Sequence, residues 1–512
     1  MRPHRFTPWL AALAMHLVLG HAVEGPARAQ PLIDSEAALV AAFAAGGEYR
    51  LAAGTIDVRE PLVAARDVRI VGAGRHESRL QLAGVPVGLR VQGGAQVHLA
   101  TLALFHDADG GGDVIHVHDA TLVLDGADVA FASFAPAPDG AKPFGYGSGL
   151  VLTGVAHAAI RSAIFGGHDL AAIEAYDRAT LDVRGSMFVQ NGTGVFVVDQ
   201  TRTTIDDALF TENSGNSLAA RGEAVVEVTR TTFETSGRVA ADVDRQFDAV
   251  RIGDDAVVAF ERSLFRGNPR FALSLFGSAR VTSAGNLYEA NGGMYEDLRL
   301  AYGAILVDDA AQFTSRGDLV RGNAGGILET NGDAQVTVDD ATYETNGSWA
   351  PIYVVGRSVL TLTGSRYVGN DGAIFVAEDA RATLHGNEIV DNGEASVWAM
   401  GRAELELVGN TVRGGAEDGV RLAERARAVL RQNSIRENRS GVVLIDESHA
   451  VLEDNDLSAN GDVGIAFLDD AGGAAIGNRI GGHEVGVVVA SSKDVELAGN
   501  AFAGNVEDVR RE

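Results

Sequence analysis

The segment Asn387-Glu388-Ile389-Val390-Asp391-Asn392 contains the pattern that decides the fold: a small polar residue, an apolar residue two places on, and a second polar residue after three more. Copies of it begin at Asn410, Asn433, Asn455, Asn478 and Asn500, so successive first positions lie 23, 23, 22, 23 and 22 residues apart. Spacing this regular indicates a repeat protein in which each copy belongs to one coil of chain.

The same register continues toward the N-terminus, where Ser, Thr, Ala or Asp often replaces the first Asn. These copies lie at 365–370, 341–346, 318–323, 286–291, 263–268, 231–236, 208–213, 186–191, 162–167, 128–133 and 101–106. Together with the regular copies they make 17 coils, and 68–74 and 80–82 indicate about two more. At the spacing of hydrogen-bonded strands, the predicted rod is about 85 Å long.

Short segments between the polar positions alternate with a period of two, as in Gly441-Val442-Val443-Leu444-Ile445. This pattern is typical of strands, and the aliphatic bias suits a parallel sheet with a filled interior. The sequence therefore predicts an all-β, single-stranded right-handed parallel β-helix of about 19 coils over 67–512. Leucine-rich repeats and β-propellers are the alternatives, but the frame of the former and the longer strands of the latter are missing.

A capping segment is predicted over 30–66, because an exposed strand edge invites another chain to pair. Asp34 and Ser35 can cap a helix over about 35–45, which Gly46 and Gly47 would end. We expect apolar residues of this helix to cover the first coil.

Residues 1–29 have the pattern of a cleaved secretory signal. Arg2 and Arg5 precede an apolar stretch, and Ala27-Arg28-Ala29 is a small-x-small site for cleavage after Ala29. The sequence thus predicts a secreted or periplasmic protein, and an uncleaved membrane anchor is the alternative. The chain has no Cys and a formal charge of −27, or −29 without the leader, which disfavours nucleic acid and anionic lipid as partners.

The segments Tyr49-Arg50-Leu51-Ala52-Ala53-Gly54-Thr55 and Val71-Gly72-Ala73-Gly74-Arg75, followed by the Asn-containing coils, resemble the right-handed parallel β-helix repeat proteins of the pectate-lyase-like superfamily. The resemblance covers nearly all of the mature chain. It implies a fold but no single activity, because the superfamily includes lyases, glycoside hydrolases, epimerases, adhesins and periplasmic accessory proteins.

Three coils are longer than the rest at the same corner, just after the second polar position. The intervals 133–167, 236–268 and 291–323 are 34, 32 and 32 residues long. Equal insertion points stack in a solenoid, so these loops should wall a groove that suits a polysaccharide or cell-surface glycan; plain decorative loops are the alternative. The candidate substrate-binding residues are Tyr146, Arg238, Asp244, Arg245, Tyr295, Arg299 and Tyr302.

Asp254 and Asp255 are the candidate catalytic residues, because Gly253-Asp254-Asp255 is similar to a segment of polygalacturonase-type hydrolases. The other motifs of that family are missing from the neighbouring coils. Acidic residues also recur where strands end elsewhere in the chain, so a pair of turn residues is the alternative. The same column of carboxylates could bind Ca²⁺; no other cofactor is expected.

His116 and His118 alternate along one strand and point the same way, so they are candidate metal ligands, with outward-facing histidines of no special role as the alternative. Lyase chemistry is weakly supported, because Lys142 and Lys493 are the only lysines and the lyase arginine signature is missing. The leading hypothesis is an exported β-helix protein that binds, and as an extension cleaves, a polysaccharide. The alternative is a structural, adhesin-like or periplasmic accessory module without catalysis.

Overall fold

The computed structural model describes residues 30–106, 111–136, 145–240, 246–295 and 300–512. It is a right-handed parallel β-helix of about 19 coils, as the repeat predicts. Each regular coil contributes one strand to each of three parallel sheets, which we name A, B and C in the order in which the chain visits them.

Sheet A contains 20 strands. Their bounds are Leu32–Ile33, Gly47–Leu51, Val68–Val71, Gln96–Ala100, Thr121–Asp125, His157–Arg161, Thr180–Arg184, Arg202–Asp206, Val225–Thr229, Val257–Glu261, Arg280–Ala284, Gln312–Arg316, Gln335–Asp339, Val359–Thr363, Arg381–His385, Glu404–Val408, Arg427–Arg431, His449–Glu453, Gly472–Ile476 and Val495–Ala498.

Sheet B contains 19 strands, most of them three residues long. Their bounds are Gly54–Val58, Ser78–Leu82, Ala103–His106, Asp128–Ala130, Ile164–Gly166, Met187–Val189, Leu209–Thr211, Thr232–Glu234, Leu264–Arg266, Leu287–Glu289, Leu319–Arg321, Thr342–Glu344, Arg366–Val368, Glu388–Val390, Thr411–Arg413, Ser434–Arg436, Asp456–Ser458, Arg479–Gly481 and Ala501–Ala503.

Sheet C also contains 19 strands. Their bounds are Leu62–Ala64, Val87–Val91, Asp113–His118, Leu150–Thr153, Ala171–Ala175, Thr193–Val197, Leu218–Ala220, Val250–Ile252, Leu273–Leu275, Ile305–Val307, Leu328–Thr330, Ile352–Val354, Ile374–Val376, Val397–Ala399, Asp418–Leu422, Ser440–Leu444, Val463–Asp469, Val485–Ser491 and Glu507–Arg511.

The polar positions of the repeat flank the strands of sheet B and form buried ladders. Asn433 donates through Nδ2 to Asn455 Oδ1 at 2.9 Å and to the Leu407 carbonyl at 2.9 Å, and its backbone N–H donates to the same Asn455 oxygen. Each such Asn therefore satisfies backbone groups that a turn between two sheets would otherwise leave unpaired inside the protein.

The interior is filled by the inward-facing residue of each strand. On sheet B these residues stack as aromatic rings in consecutive coils, with Phe188 and Phe210 at 4.5 Å and Phe265 and Tyr288 at 4.6 Å between ring centroids. All four are fully buried. Stacked rings and aliphatic side chains thus bury apolar area in the chain without any disulfide.

The one helix among the described residues is Glu36–Ala45, close to the predicted bounds. Ser35 accepts a hydrogen bond from the Ala38 N–H through its side chain, and Gly46 ends the helix with φ of 75°. Leu39 and Phe43 are buried against the first coil, so the capping prediction is confirmed. Strand Gly47–Leu51 already pairs with Val68–Val71, so strand pairing includes part of the segment assigned to the cap.

The three insertions lie at one corner, between a strand of sheet B and the next strand of sheet C, as their spacing predicts. Two are closed at the base by antiparallel bridges, Ala135 with Tyr146 and Arg238 with Phe247. The third forms a hairpin of strands Gly293–Tyr295 and Leu300–Tyr302. Within the described ranges, no helix has the length and apolar character needed to cross a membrane.

Candidate functional site

The outward side of sheet C is the surface that all three insertions adjoin. The central outward residues of its strands stack in register, coil upon coil, and we name the stretch from Arg251 to Arg421 the C row. Its members are Arg251, Ser274, Leu306, Glu329, Tyr353, Phe375, Trp398 and Arg421. The C row therefore runs parallel to the axis of the solenoid.

Four aromatic residues cluster in the C row and beside it, and we name them the aromatic patch: Trp349, Tyr353, Phe375 and Trp398. The ring centroids of Tyr353 and Phe375 lie 5.2 Å apart and those of Phe375 and Trp398 5.4 Å apart. Trp349 comes from the turn before strand Ile352–Val354 and crosses Phe375 edge-on at 5.0 Å. Trp349 is 52% exposed and covers Phe375, which is only 4% exposed, so the patch presents the Trp349 indole to solvent over a buried ring.

The sequence analysis missed this patch, although a signal for it exists. Tyr353, Phe375 and Trp398 are 22 and 23 residues apart, which is the length of one coil, so the repeat register alone places them above one another. These residues were not recognised as outward-facing because they alternate with Ile and Val, and an apolar residue in a strand is ordinarily assigned to the interior.

The second and third insertions pack on each other beside the C row. The Tyr302 hydroxyl donates to Gln246 Oε1 at 2.7 Å, and the Tyr295 hydroxyl donates to the Pro269 carbonyl at 2.6 Å. The Arg270 guanidinium lies 4.7 Å from the centre of the Tyr302 ring. Tyr302 is only 7% exposed, so this residue supports the loops and offers little surface to a ligand.

Two carboxyl groups near these loops have raised pKa values. Asp248 is fully buried, lies 3.2 Å from Arg270 Nε and accepts a hydrogen bond from the Ser274 hydroxyl at 2.7 Å; burial raises its pKa more than the arginine lowers it. Glu329, half-buried in the C row, has a pKa raised by burial and by the nearby Asp308 carboxylate.

Under the first insertion lies a second polar cluster on sheet C. Asp113 accepts hydrogen bonds from the backbone N–H groups of Gly147 and Ser148 at 2.8 and 2.7 Å. The Ser148 hydroxyl donates to Glu174, whose other oxygen accepts from the Tyr176 hydroxyl at 2.6 Å. Burial and the Glu174 carboxylate raise the pKa of Tyr176. This network anchors the base of the insertion to the sheet.

The two histidines proposed as metal ligands make other contacts. His116 Nε2 lies 2.7 Å from Asp113 Oδ2, and His118 Nδ1 lies 3.0 Å from the Thr153 hydroxyl oxygen. No group of three His, Asp or Glu suited to a metal ion occurs in the part of the chain that the structure describes. The metal site at His116 and His118 stays a prediction.

Asp254 and Asp255 lie in the turn from sheet C to sheet A, and both are exposed. Asp254 has φ of 57°, and its carboxylate accepts a hydrogen bond from the Gly222 N–H at 3.0 Å. Asp199, Asp309 and Asp446 occupy the same place in other coils with the same left-handed backbone and the same kind of contact. These contacts are those of a turn residue, and the catalytic role and Ca²⁺ binding stay predictions.

The remaining predicted substrate-binding residues differ in burial, and some of them lie outside the described residues. Tyr146 is half-buried 6.5 Å from the His116 ring, and Arg238 is exposed at the base of the second insertion. Tyr295 is half-buried in the third insertion. Asp244, Arg245 and Arg299 lie outside the described residues. The described members therefore flank sheet C at its insertions, away from the aromatic patch.

Comparison with known proteins gives matches to both sequence and structure. The family described as "Right handed beta helix region" matches residues 148–343 and 350–502. Among curated proteins, none matches this sequence.

Solved structures similar to this chain are distant. A mutant of the periplasmic alginate epimerase AlgG is 9% identical with a TM-score of 0.30, over 75% of this chain and 77% of that one. The catalytic unit of a GH87 alpha-1,3-glucanase from Streptomyces thermodiastaticus is 14% identical with a TM-score of 0.34, over 72% and 63%. Tailspike protein 2 of Escherichia coli O157:H7 bacteriophage CAB120 is 11% identical with a TM-score of 0.42, over 62% and 41%.

The family match covers more than half of the 512 residues, and the three parallel sheets agree with it. The chain therefore belongs to the family of proteins with a right-handed beta helix region.

Proposed function

We propose that this protein binds a polysaccharide along the outward side of sheet C, with sugar rings stacked on the aromatic patch. The observation that carries the proposal is the half-exposed Trp349 beside Tyr353, Phe375 and Trp398 on one face. The apolar face of a sugar packs well on an aromatic ring, and contiguous exposed apolar surface commonly marks a ligand groove.

The proposal includes export of the chain, because we expect the polysaccharide ligand to lie outside the cytoplasm. Residues 1–29 supply the leader pattern, with cleavage after Ala29, and they lie outside the described residues. The high negative charge supports a glycan over a nucleic acid as the partner.

The test is affinity electrophoresis through gels that contain hydroxyethylcellulose, xylan, laminarin, alginate or polygalacturonate. Trp349→Ala should weaken retention about 10-fold, because an aromatic anchor at the centre of a contact commonly contributes more than 1 kcal/mol. The folded state should tolerate the change, since about half of this side chain is already in solvent.

Phe105→Ala is the matched control. Phe105 is partly exposed and stacked, at 5.6 Å on Phe131, but it belongs to sheet B. Equal retention of Trp349→Ala and the unmodified protein, or no retention of any of the five glycans, would contradict the proposal.

A second candidate function, hydrolysis of the bound glycan, is favoured by the placement of Glu329 and Asp308. Glu329 is in register with Leu306, and Asp308 follows Leu306 by two residues. Their Cα atoms are thus about 8 Å apart on the sheet surface. Glycosidases place their two carboxyl groups about 5–9.5 Å apart, and side chains on such a diagonal can reach that separation.

The two carboxyl groups have different environments, which suits an acid and a base. Burial and Asp308 raise the pKa of Glu329, which favours a protonated carboxyl there. Glu329 would give its proton to the glycosidic oxygen as the C1–O bond breaks. A water molecule would add to C1 and pass a proton to Asp308, so that one water is consumed per bond.

Release of reducing ends from a glycan that the protein retains tests this second function. Glu329→Gln should lower the rate at least about 100-fold, because proton transfer typically contributes that much. Retention should change far less, since the amide oxygen of Gln can still accept a hydroxyl hydrogen bond. Glu227→Gln, on an exposed position of sheet A, is the control for loss of a carboxylate. A retained glycan from which the unmodified protein releases no ends leaves the binding function intact and rules out hydrolysis.

A further inference from the structure

The arginines around the aromatic patch are all paired with carboxylates of the protein itself. Arg421, at the end of the C row, places Nε 2.7 Å from Asp418 Oδ2, and its guanidinium lies 5.7 Å from the Trp398 ring. Asp418 is only 4% exposed, so this ion pair is shielded on the carboxylate side. Through this contact at Nε, Asp418 offsets the charge of Arg421 and weakens its attraction for a carboxylate of a ligand.

Arginines in the turns that border the aromatic patch are likewise paired with carboxylates of the protein. Arg357 donates to both oxygens of Asp333, and Arg402 to both oxygens of Asp379, in each case at 2.6 Å. Arg425 lies 3.2 Å from Glu447. The two-pronged contacts of Arg357 and Arg402 use the geometry by which arginine would otherwise recognise a uronate carboxylate.

Farther along the C row, the charged group next to Glu329 is the Asp308 carboxylate. Arg251, at the far end of the row, is half-buried, and its guanidinium lies 4.4 Å from the centre of the Phe276 ring. Glu329 adjoins Tyr353 in the next coil, and Asp308 lies close to Glu329. Arg270, whose charge acts to lower the pKa of Glu329, faces the buried Asp248 at 3.2 Å. A polyanion laid along this row would therefore meet the Asp308 carboxylate beside Glu329, and like charges disfavour its binding.

We infer that the glycan bound by the aromatic patch is uncharged: a neutral polysaccharide that stacks on the rings and donates hydroxyl hydrogen bonds to Glu329. This inference rests on the proposed function and names the chemical class of its ligand. It excludes uronate polymers as the preferred ligand of this face.

The first test compares retention of the unmodified protein by hydroxyethylcellulose and xylan with retention by alginate and polygalacturonate, at low and high salt. Neutral glycans should retain it, and salt should leave their retention unchanged, because stacking is not screened. Preferred retention by alginate or polygalacturonate overturns the inference while the proposed binding function stands. Retention by no glycan means that the binding function itself has failed.

The second test is a gain of function. Asp418→Asn keeps the shape of the side chain but removes the charge that Arg421 faces. The variant should gain several-fold in retention by alginate at low salt and lose that gain at high salt. Asp57→Asn, an exposed position of sheet B, changes the net charge equally and should show no gain.

The outcome for Asp418→Asn is read together with its melting temperature. If the variant unfolds, the salt comparison on the unmodified protein still decides the inference. A folded variant that gains nothing on alginate shows that the pairing of Arg421 does not control selectivity and counts against the inference.

Discussion

Asp318 occupies a ladder position where the preceding coil has Asn286. Its Oδ1 accepts the Asn286 N–H at 2.7 Å, and its Oδ2 accepts the Ser315 hydroxyl at 2.6 Å. The side chain is 2% exposed, and burial raises its pKa above the ordinary value. The folded state therefore favours the protonated carboxyl, and stability is lost as the pH rises through the raised pKa.

Asp318→Asn should therefore stabilise the protein at pH 8, because the amide keeps the acceptor for Asn286 and has no charge to bury. We expect a gain of about 1 kcal/mol in the free energy of unfolding, which is the usual net contribution of one buried hydrogen-bonded group. The gain should disappear well below pH 3.8, the ordinary pKa of an aspartate carboxyl, where the carboxyl is protonated in both the folded and the unfolded chain. Denaturant unfolding at the two pH values measures it.

Asp333→Asn is the control substitution for Asp318→Asn. Asp333 is an exposed aspartate whose pKa is lowered by its hydrogen bonds to Arg357, so its replacement should give no gain at pH 8. A loss of stability for Asp318→Asn at pH 8 would show that the carboxylate in the ladder is stabilising.

At the scale of the element, the strands and ladders could be predicted because they repeat. Each coil has the same short alternation of apolar and polar residues and the same flanking polar positions. The register of an irregular coil can therefore be assigned from the coils on either side of it. The corner of the insertions followed from interval lengths alone. The contacts inside the insertions did not, since the bond from Tyr302 to Gln246 joins residues 56 apart whose positions depend on how two irregular loops fold.

The candidate site was harder to predict for a physical reason. In Ile352-Tyr353-Val354 and Ile374-Phe375-Val376 both faces of the strand are apolar, so a period of two does not distinguish the inward from the outward residue. The carboxylates that the sequence singled out, Asp254 and Asp255, belong to a column of turn residues. A residue type that recurs in most coils gives no signal that separates a site from the architecture, whereas one confined to a few adjacent coils does.

For the whole molecule, stacking of coils gives the outward side a fixed period along the axis. Hydrogen-bonded strands lie about 4.8 Å apart, and the aromatic rings of consecutive coils have centroids 5.2 and 5.4 Å apart. A sugar ring in an extended chain is of similar length, so a glycan laid along the axis places about one sugar on each coil. From Glu329 to Arg421 the C row spans five coils.

Affinity should therefore depend on the length of the ligand. In titration calorimetry with neutral oligosaccharides of two to eight sugars, binding should tighten with each added sugar up to about five and then change little, because further sugars lie beyond the patch. Trp398→Ala should move the plateau to shorter ligands, since Trp398 adjoins the end of the row at Arg421. Affinity already at its maximum with two sugars would mean that the glycan crosses the solenoid instead of following its axis.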